Sequence, residues 1–255
     1  SSRDVGYLSR DVNHSFGVNA YNYGVAAGNL RGIQARLEWL ASKNCLPARI
    51  FIPISIDKLR LPERPDDLLR KEHPDIVGTR QYHREFLLSY IGTDAFISNV
   101  RKLLRWKEEP KFRYDMATGD VHYLWDRSFE IEECDAVQDA PGSEIFRQYR
   151  DYLVAIKGVA ERNNARVTLL WNPQPINIQL AHVDQAKELF SALSGEFRSI
   201  YRLPLSDKRL RDSSNYHDKG HFKPELGAAV IASPNHMVPM RTLVTELEGA
   251  AAVCR

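Results

Sequence analysis

The chain predicts an α/β fold, a three-layer α/β/α sandwich around a mostly parallel sheet. Three observations carry this expectation. Arg49–Ile56 (RIFIPISI) is a nearly continuous apolar run with β-branched residues, the pattern of a strand covered on both faces. Arg166–Trp171 (RVTLLW) is a second strand-like run. Around them, apolar residues recur at helical spacing, so strands and helices alternate along the chain. A length of 255 residues suits one large domain or two small ones, and with no internal repeats or low-complexity segments we read residues 1–255 as one domain.

Each element follows in order. Val18–Val25 (VNAYNYGV) is rich in strand formers and ends in the small-residue turn Ala26-Ala27-Gly28-Asn29. A helix then presents Leu30, Ile33, Leu37 and Leu40 on one face and stops near Asn44. With Arg49–Ile56 this reads as a β-α-β unit and implies a parallel sheet. Residues 58–139 interrupt the rhythm: a charged stretch with Pro62, Pro65 and Pro74 precedes two expected helices, around Arg84–Tyr90 and Asp94–Trp106. Lys111–Tyr114 and Val121–Trp125 then flank a turn at Thr118-Gly119-Asp120, a β-hairpin signal. We read 58–139 as an insertion that forms a lid or wall within the single domain. Its aromatics (Tyr82, Phe86, Trp106, Tyr114, Tyr123, Trp125) could line a carbohydrate groove, but a small core of the insertion's own explains most of them more simply.

The rhythm resumes with Ile145, Phe146, Tyr149, Tyr152, Leu153, Ile156 and Val159 at strict helical period. The Arg166–Trp171 strand is cut off by Asn172-Pro173-Gln174-Pro175. A helix from about His182 to Leu193, a short strand at Arg198–Leu203 and a helix opening at Pro224-Glu225 complete the series.

Composition narrows the function classes. Apolar residues make up 43% and charged residues 27%, ordinary for a soluble globular protein. The formal charge is +2 and the arginines are spread along the chain, which disfavours a nucleic-acid partner. No apolar run is long enough to cross a bilayer. Cys45, Cys134 and Cys254 lack Cys-x-x-Cys spacing, so neither a zinc knuckle nor a dense disulfide framework is indicated. No metal or organic cofactor is implied.

The chemistry gathers at the two ends. In Asp218-Lys219-Gly220-His221, expected on a loop just before a C-terminal helix, the carboxylate could accept a hydrogen bond from one ring nitrogen and leave the other to take a proton from a serine. The serine with the most suggestive context is Ser2 in Ser1-Ser2-Arg3. Asp-x-x-His alone is a weak signal, and Asp11-Val12-Asn13-His14 repeats it on an expected loop near the chain start, without a comparable setting. On spacing alone, an Asp218 that caps the following helix and a surface His221 explain the motif better. Ligands of open parallel sheets bind beyond the carboxyl ends of the strands, which adds Gly28, Asn29, Ser55, Asp57 and Asn172 as candidates. The N–H of Gly28 would suit an oxyanion, and the same glycine also suits a tight strand-to-helix turn. Asn172 could touch substrate, or simply terminate its strand.

Taken together, Ser1-Ser2-Arg3, the segment Tyr21–Gly28 and the late Asp-x-x-His-Phe resemble the SGNH (GDSL-like) hydrolases, and in particular their divergent bacterial branch of cell-envelope and polysaccharide O-acyl-modifying proteins. The resemblance implies Ser2 as nucleophile, Gly28 as oxyanion donor, and Asp218 and His221 as the rest of a triad. It further implies a first strand upstream of Ser1, and with it a lost N-terminal segment and membrane anchor. The family's Gly-x-Asn-Asp block is replaced here by Ile54-Ser55-Ile56-Asp57, so its asparagine donor is missing. The expected activity is a serine-dependent hydrolase or O-acyltransferase on acyl esters of a cell-envelope glycan. Its partners would be an acylated carbohydrate or small ester and a membrane acyl-transfer protein. The expected location is periplasmic or extracytoplasmic, and cytoplasmic if no anchor exists. The rival is a non-catalytic glycan-binding or assembly protein on the same fold; a nucleotide-binding α/β protein is weaker, since Gly24 and Gly28 form no phosphate fingerprint.

Overall fold

The structure, a computed structural model, describes residues 6–23, 29–55, 74–78, 80, 83–84, 97, 100, 112–125, 129–131 and 143–250. It is an α/β protein built on a mixed, mostly parallel four-stranded sheet. In chain order come α1 (Ser9–Phe16), α2 (Leu30–Ser42), β1 (Arg49–Ile54), a single turn at Pro74–Val77, β2 (Phe112–Tyr114), β3 (Val121–Tyr123), α3 (Ser143–Arg162) and β4 (Arg166–Trp171). Then follow α4 (Ile176–Ala181), α5 (Val183–Leu193), β5 (Ser199–Tyr201), β6 (Tyr216–Asp218), β7 (His221–Phe222), α6 (Pro224–Ile231), β8 (Met237–Pro239) and α7 (Met240–Ala250).

The sheet order is β1-β4-β5-β8, with the first three strands parallel and β8 antiparallel at the edge. Ile52 stands opposite Leu169, Ile54 opposite Trp171, and Leu169 opposite Ile200, so these side chains share one face. Phe190 of α5 closes on that face, its ring 5.0 Å from Trp171. Phe51 and Tyr201 belong to the other face, where Phe16 of α1 meets them at 4.7 and 5.4 Å. Burying a large apolar side chain of this kind contributes about 1.5–3 kcal/mol, and Leu153, Ile156, Leu169, Leu189 and Ile200 are fully enclosed.

Local chemistry sets the helix ends. Asn29 caps α2, its side-chain oxygen accepting the N–H of Gly32 at 2.7 Å. Pro224 opens α6, where its missing donor costs nothing. Asn44 and Asn164 adopt positive φ just past α2 and α3, a conformation asparagine tolerates. The N-terminus of α1 is capped from a distance: Asp120 accepts both the N–H of Ser9 (2.9 Å) and its hydroxyl (2.7 Å), and both residues are buried.

The strands at Arg49–Ile54 and Arg166–Trp171, the hairpin β2–β3, and the helices after Asn29 and before Asn164 fall where the periodicity puts them. Three expectations change. Residues 18–23 are not a strand: Asn22 donates its backbone N–H to Thr118 and its amide to the Tyr7 carbonyl, and Tyr21 and Tyr23 are exposed. Strand-forming residues without a ladder to join remain irregular here; among the described residues no strand precedes β1, and the parallel sheet rests on β1, β4 and β5. Asp11 and His14 lie on helix α1, not on a loop. The Asp218–His221 stretch is likewise no loop but a tight antiparallel pair, β6–β7. Ser2, Gly24–Gly28, Asp57, Cys134, Cys254, Tyr82, Phe86, Trp106 and the bulk of both expected insertion helices lie outside the described residues.

Candidate functional site

The carboxyl ends of the parallel strands deliver Ser55 from β1 and Asn172 from β4 to one place. Both are buried, and the Asn172 side-chain N–H donates to the Ser55 hydroxyl at 2.7 Å. The Asn172 backbone N–H meets the Ile54 carbonyl at 2.9 Å, so the parallel ladder carries the pairing past the strand ends and holds the two side chains together.

Asp218 and His221 are partners across β6–β7. His221 Nδ1 and Asp218 Oδ1 are 2.8 Å apart, and the same oxygen accepts the Gly220 N–H at 2.7 Å. The turn thus grips the carboxylate with its own backbone, and the carboxylate grips the ring. Both side chains are about a fifth to a quarter exposed (20% for His221, 24% for Asp218), open enough to meet a ligand. With Nδ1 facing Asp218, Nε2 is the ring nitrogen turned away from the carboxylate.

Tyr7 joins these two clusters. Its hydroxyl donates to the carbonyl of Trp171, the residue before Asn172, at 3.3 Å. Its ring stands edge-on to Phe222, the residue after His221, at 5.1 Å. Gly6 lies so close to the Phe222 ring and to Gly227 that a Cβ on either glycine would collide. Nothing in the spacing of the sequence signals Tyr7. Ser2 is outside the described residues.

The β2–β3 hairpin closes the other side. Tyr123 packs at 5.0 Å from the His221 ring and 4.9 Å from His217, with Trp125 edge-on at 5.8 Å. The hairpin is fixed to the N-terminal segment by Asp120 on Ser9, by the Thr118 carbonyl on Asn22, and by Gly119, which at φ 72° lies against the Asn22 carbonyl. His217 and Tyr216 escape the spacing argument. Burial pushes the Tyr216 phenol well above its ordinary range, with Asp207 and Asp212 adding to the effect.

Of the other candidates, Asn29 serves α2 as its cap. Asp11 faces Arg10 at 3.5 Å and not His14, which is exposed. Arg202, just past β5, is buried and paired with Glu246, and burial draws its guanidinium down to about 10. Among the described residues no group of three or more His, Cys, Asp or Glu side chains could hold a metal, and no helix is long and apolar enough to cross a membrane. A cleft of about 400 Å³ lies at the opposite edge of the sheet, around Arg49, Arg166 and Arg198. It contains no nucleophile–base pair, so the hydrogen-bond geometry, and not the cavity, locates the candidate site. No family model, no curated protein and no solved structure matches this chain.

Proposed function

We propose that the chain is a serine-dependent hydrolase or O-acyltransferase acting on acyl esters of a cell-envelope glycan, on an SGNH-like three-layer sandwich. The observation that carries this reading is the 2.8 Å contact between His221 Nδ1 and Asp218. A binding surface has no need for a carboxylate-oriented imidazole, whereas a general base does. Two further features support it. The dyad is tied through Tyr7 to the carboxyl edge of the sheet, where open α/β sheets bind ligands. The order β1-β4-β5 is the run of three adjacent parallel strands found in one half of a flavodoxin-like sheet, and helices meet both of its faces.

In this mechanism the Ser2 hydroxyl attacks the acyl carbonyl and passes its proton to Nε2 of His221, while Asp218 stabilises the imidazolium. The N–H groups of Ser2 and Gly28 hold the oxyanion, and the Asn172 amide, beside Ser55, stands in for the asparagine missing after β1. Water or a sugar hydroxyl then releases the acyl group. Glycan binding without catalysis is the competing reading, favoured by the Phe112–Tyr123–Trp125 aromatic array on the hairpin. Turnover of a small acetyl ester by the full chain separates the two. Ser2→Ala and His221→Ala should each abolish it with unchanged circular dichroism. Unaltered turnover in either variant rules the triad out, and glycan binding that depends on Tyr123 but not on His221 establishes the competitor.

A further inference from the structure

The amino edge of the sheet carries a chemistry unlike that of the carboxyl edge. Arg49 opens β1 and Arg166 opens β4, and the parallel register makes them direct partners. Partners on adjacent strands project from the same face, roughly 5 Å apart at their roots. Like charges placed opposite each other destabilise a sheet. The usual remedy, a carboxylate between them, is absent among the described residues: Glu161 and Glu196 line the same cleft, yet both are engaged by Lys157, at 3.6 and 3.4 Å. Arg49 has a long contact of 3.4 Å to the Phe16 carbonyl. Arg198, one residue before β5, also lines the cleft.

Hydroxyl donors complete the arrangement. Thr168 lies two residues beyond Arg166 on the same face of β4, and Ser199 stands level with it on β5, since Leu169 pairs with Ile200. The cleft encloses about 400 Å³, within the range of small-molecule sites. Its wall is the packed trio of Phe16, Phe51 and Tyr201. Guanidinium forks bind carboxylate and phosphate oxygens in pairs, and an anion shared by Arg49 and Arg166 would turn their repulsion into two attractions.

We propose that this cleft is a binding site for the carboxylate or phosphate group of a soluble ligand of about monosaccharide size, held between Arg49 and Arg166 with Arg198, Thr168 and Ser199 as further donors. The site is independent of the ester-cleavage reading, because it occupies the other end of the strands.

The test is thermal unfolding and calorimetric titration of the full chain at constant ionic strength, with inorganic phosphate and glucuronate as probes and chloride and glucose as controls. The site predicts a saturable rise in Tm with phosphate, glucuronate or both, and none with the controls. Phosphate alone identifies a phosphate-bearing ligand, and glucuronate alone a carboxylate. Arg49→Gln and Arg166→Gln should each weaken binding about tenfold or more, and without anion the double variant should be at least as stable as the parent. Arg198→Gln, which leaves the cross-strand pair intact, should also weaken binding and covers the case of a double variant that fails to fold. Equal anion responses in the parent and the Arg49→Gln/Arg166→Gln variant, or no saturable response to either probe, would overturn the proposal. Ester turnover should be unchanged in all of these variants.

Discussion

The molecule contains the same four-residue spacing twice, and only one copy forms a pair. Asp218 and His221 face each other across a two-strand turn at 2.8 Å. Asp11 and His14 lie on helix α1, where Asp11 contacts Arg10 and His14 looks outward. The difference lies in the backbone beneath the residues. In the hairpin, the Gly220 N–H binds the very oxygen that the imidazole uses, so the turn and the ring position the carboxylate together. In the helix, no such anchor exists, and a neighbouring cation competes for the acid. A motif written as a spacing therefore leaves out its deciding variable, which is the local conformation.

The largest expected effect tests this contrast directly. Asp218→Asn keeps the volume but removes the charge that orients His221, and such a change in a developed triad costs on the order of 10⁴-fold in turnover. Asp11→Asn and His14→Ala should leave ester turnover within about twofold of the parent, a margin of about 0.4 kcal/mol typical of a surface change. Comparable losses from the two sets of variants would break the distinction between the copies.

A second variant works on what surrounds each copy. Asp120 holds the start of α1 through two hydrogen bonds to Ser9 and leads into the strand that carries Tyr123 to His221. Asp120→Ala leaves buried donors unsatisfied, a cost of roughly 1–3 kcal/mol. Chemical denaturation should register that loss, and hydrogen exchange should show faster opening at the start of α1. A change below about 0.5 kcal/mol would mean that the carboxylate is dispensable as a remote cap.

The smallest effect concerns an acid paired with a cation instead of a ring. Hydrogen bonds from Arg209 hold the Asp207 carboxyl below its ordinary value. Because the folded value lies below the unfolded one, this pair stabilises the fold above about pH 4 and its contribution fades as the pH falls through the folded value. Arg209→Ala should shift the acid-unfolding midpoint to higher pH, while costing at most about 1 kcal/mol at neutrality. An unchanged midpoint would show that the contact adds nothing to acid resistance.

Periodicity exposed much of this architecture. The apolar runs of β1 and β4 and the stripe from Ile145 to Val159 are buried patterns, and burial is what hydrophobic spacing encodes. The segment 18–23 misled because strand propensity reflects fitness for a pleated surface, and this segment has none to join. Met240, Leu243 and Leu247 carry a legible helical period in α7 as well, and all three are buried. The site divides in the same way. Asp218 and His221 are local, so three residues of spacing suggest them. The Ser55–Asn172 contact joins positions 117 residues apart, and the Tyr7–Trp171 bond joins positions 164 apart. Such pairs depend on strand order, which spacing along one chain does not encode.

Trp171 has a use of its own as an optical gauge. Its indole is buried against Phe190 with the Arg202 guanidinium 5.9 Å from its ring, while its carbonyl receives Tyr7. An indole so enclosed emits at shorter wavelengths than one in water, and a nearby cation shifts that colour further. Any ligand that displaces Tyr7 or repacks the carboxyl edge should therefore change the native emission, giving a label-free signal from inside the protein.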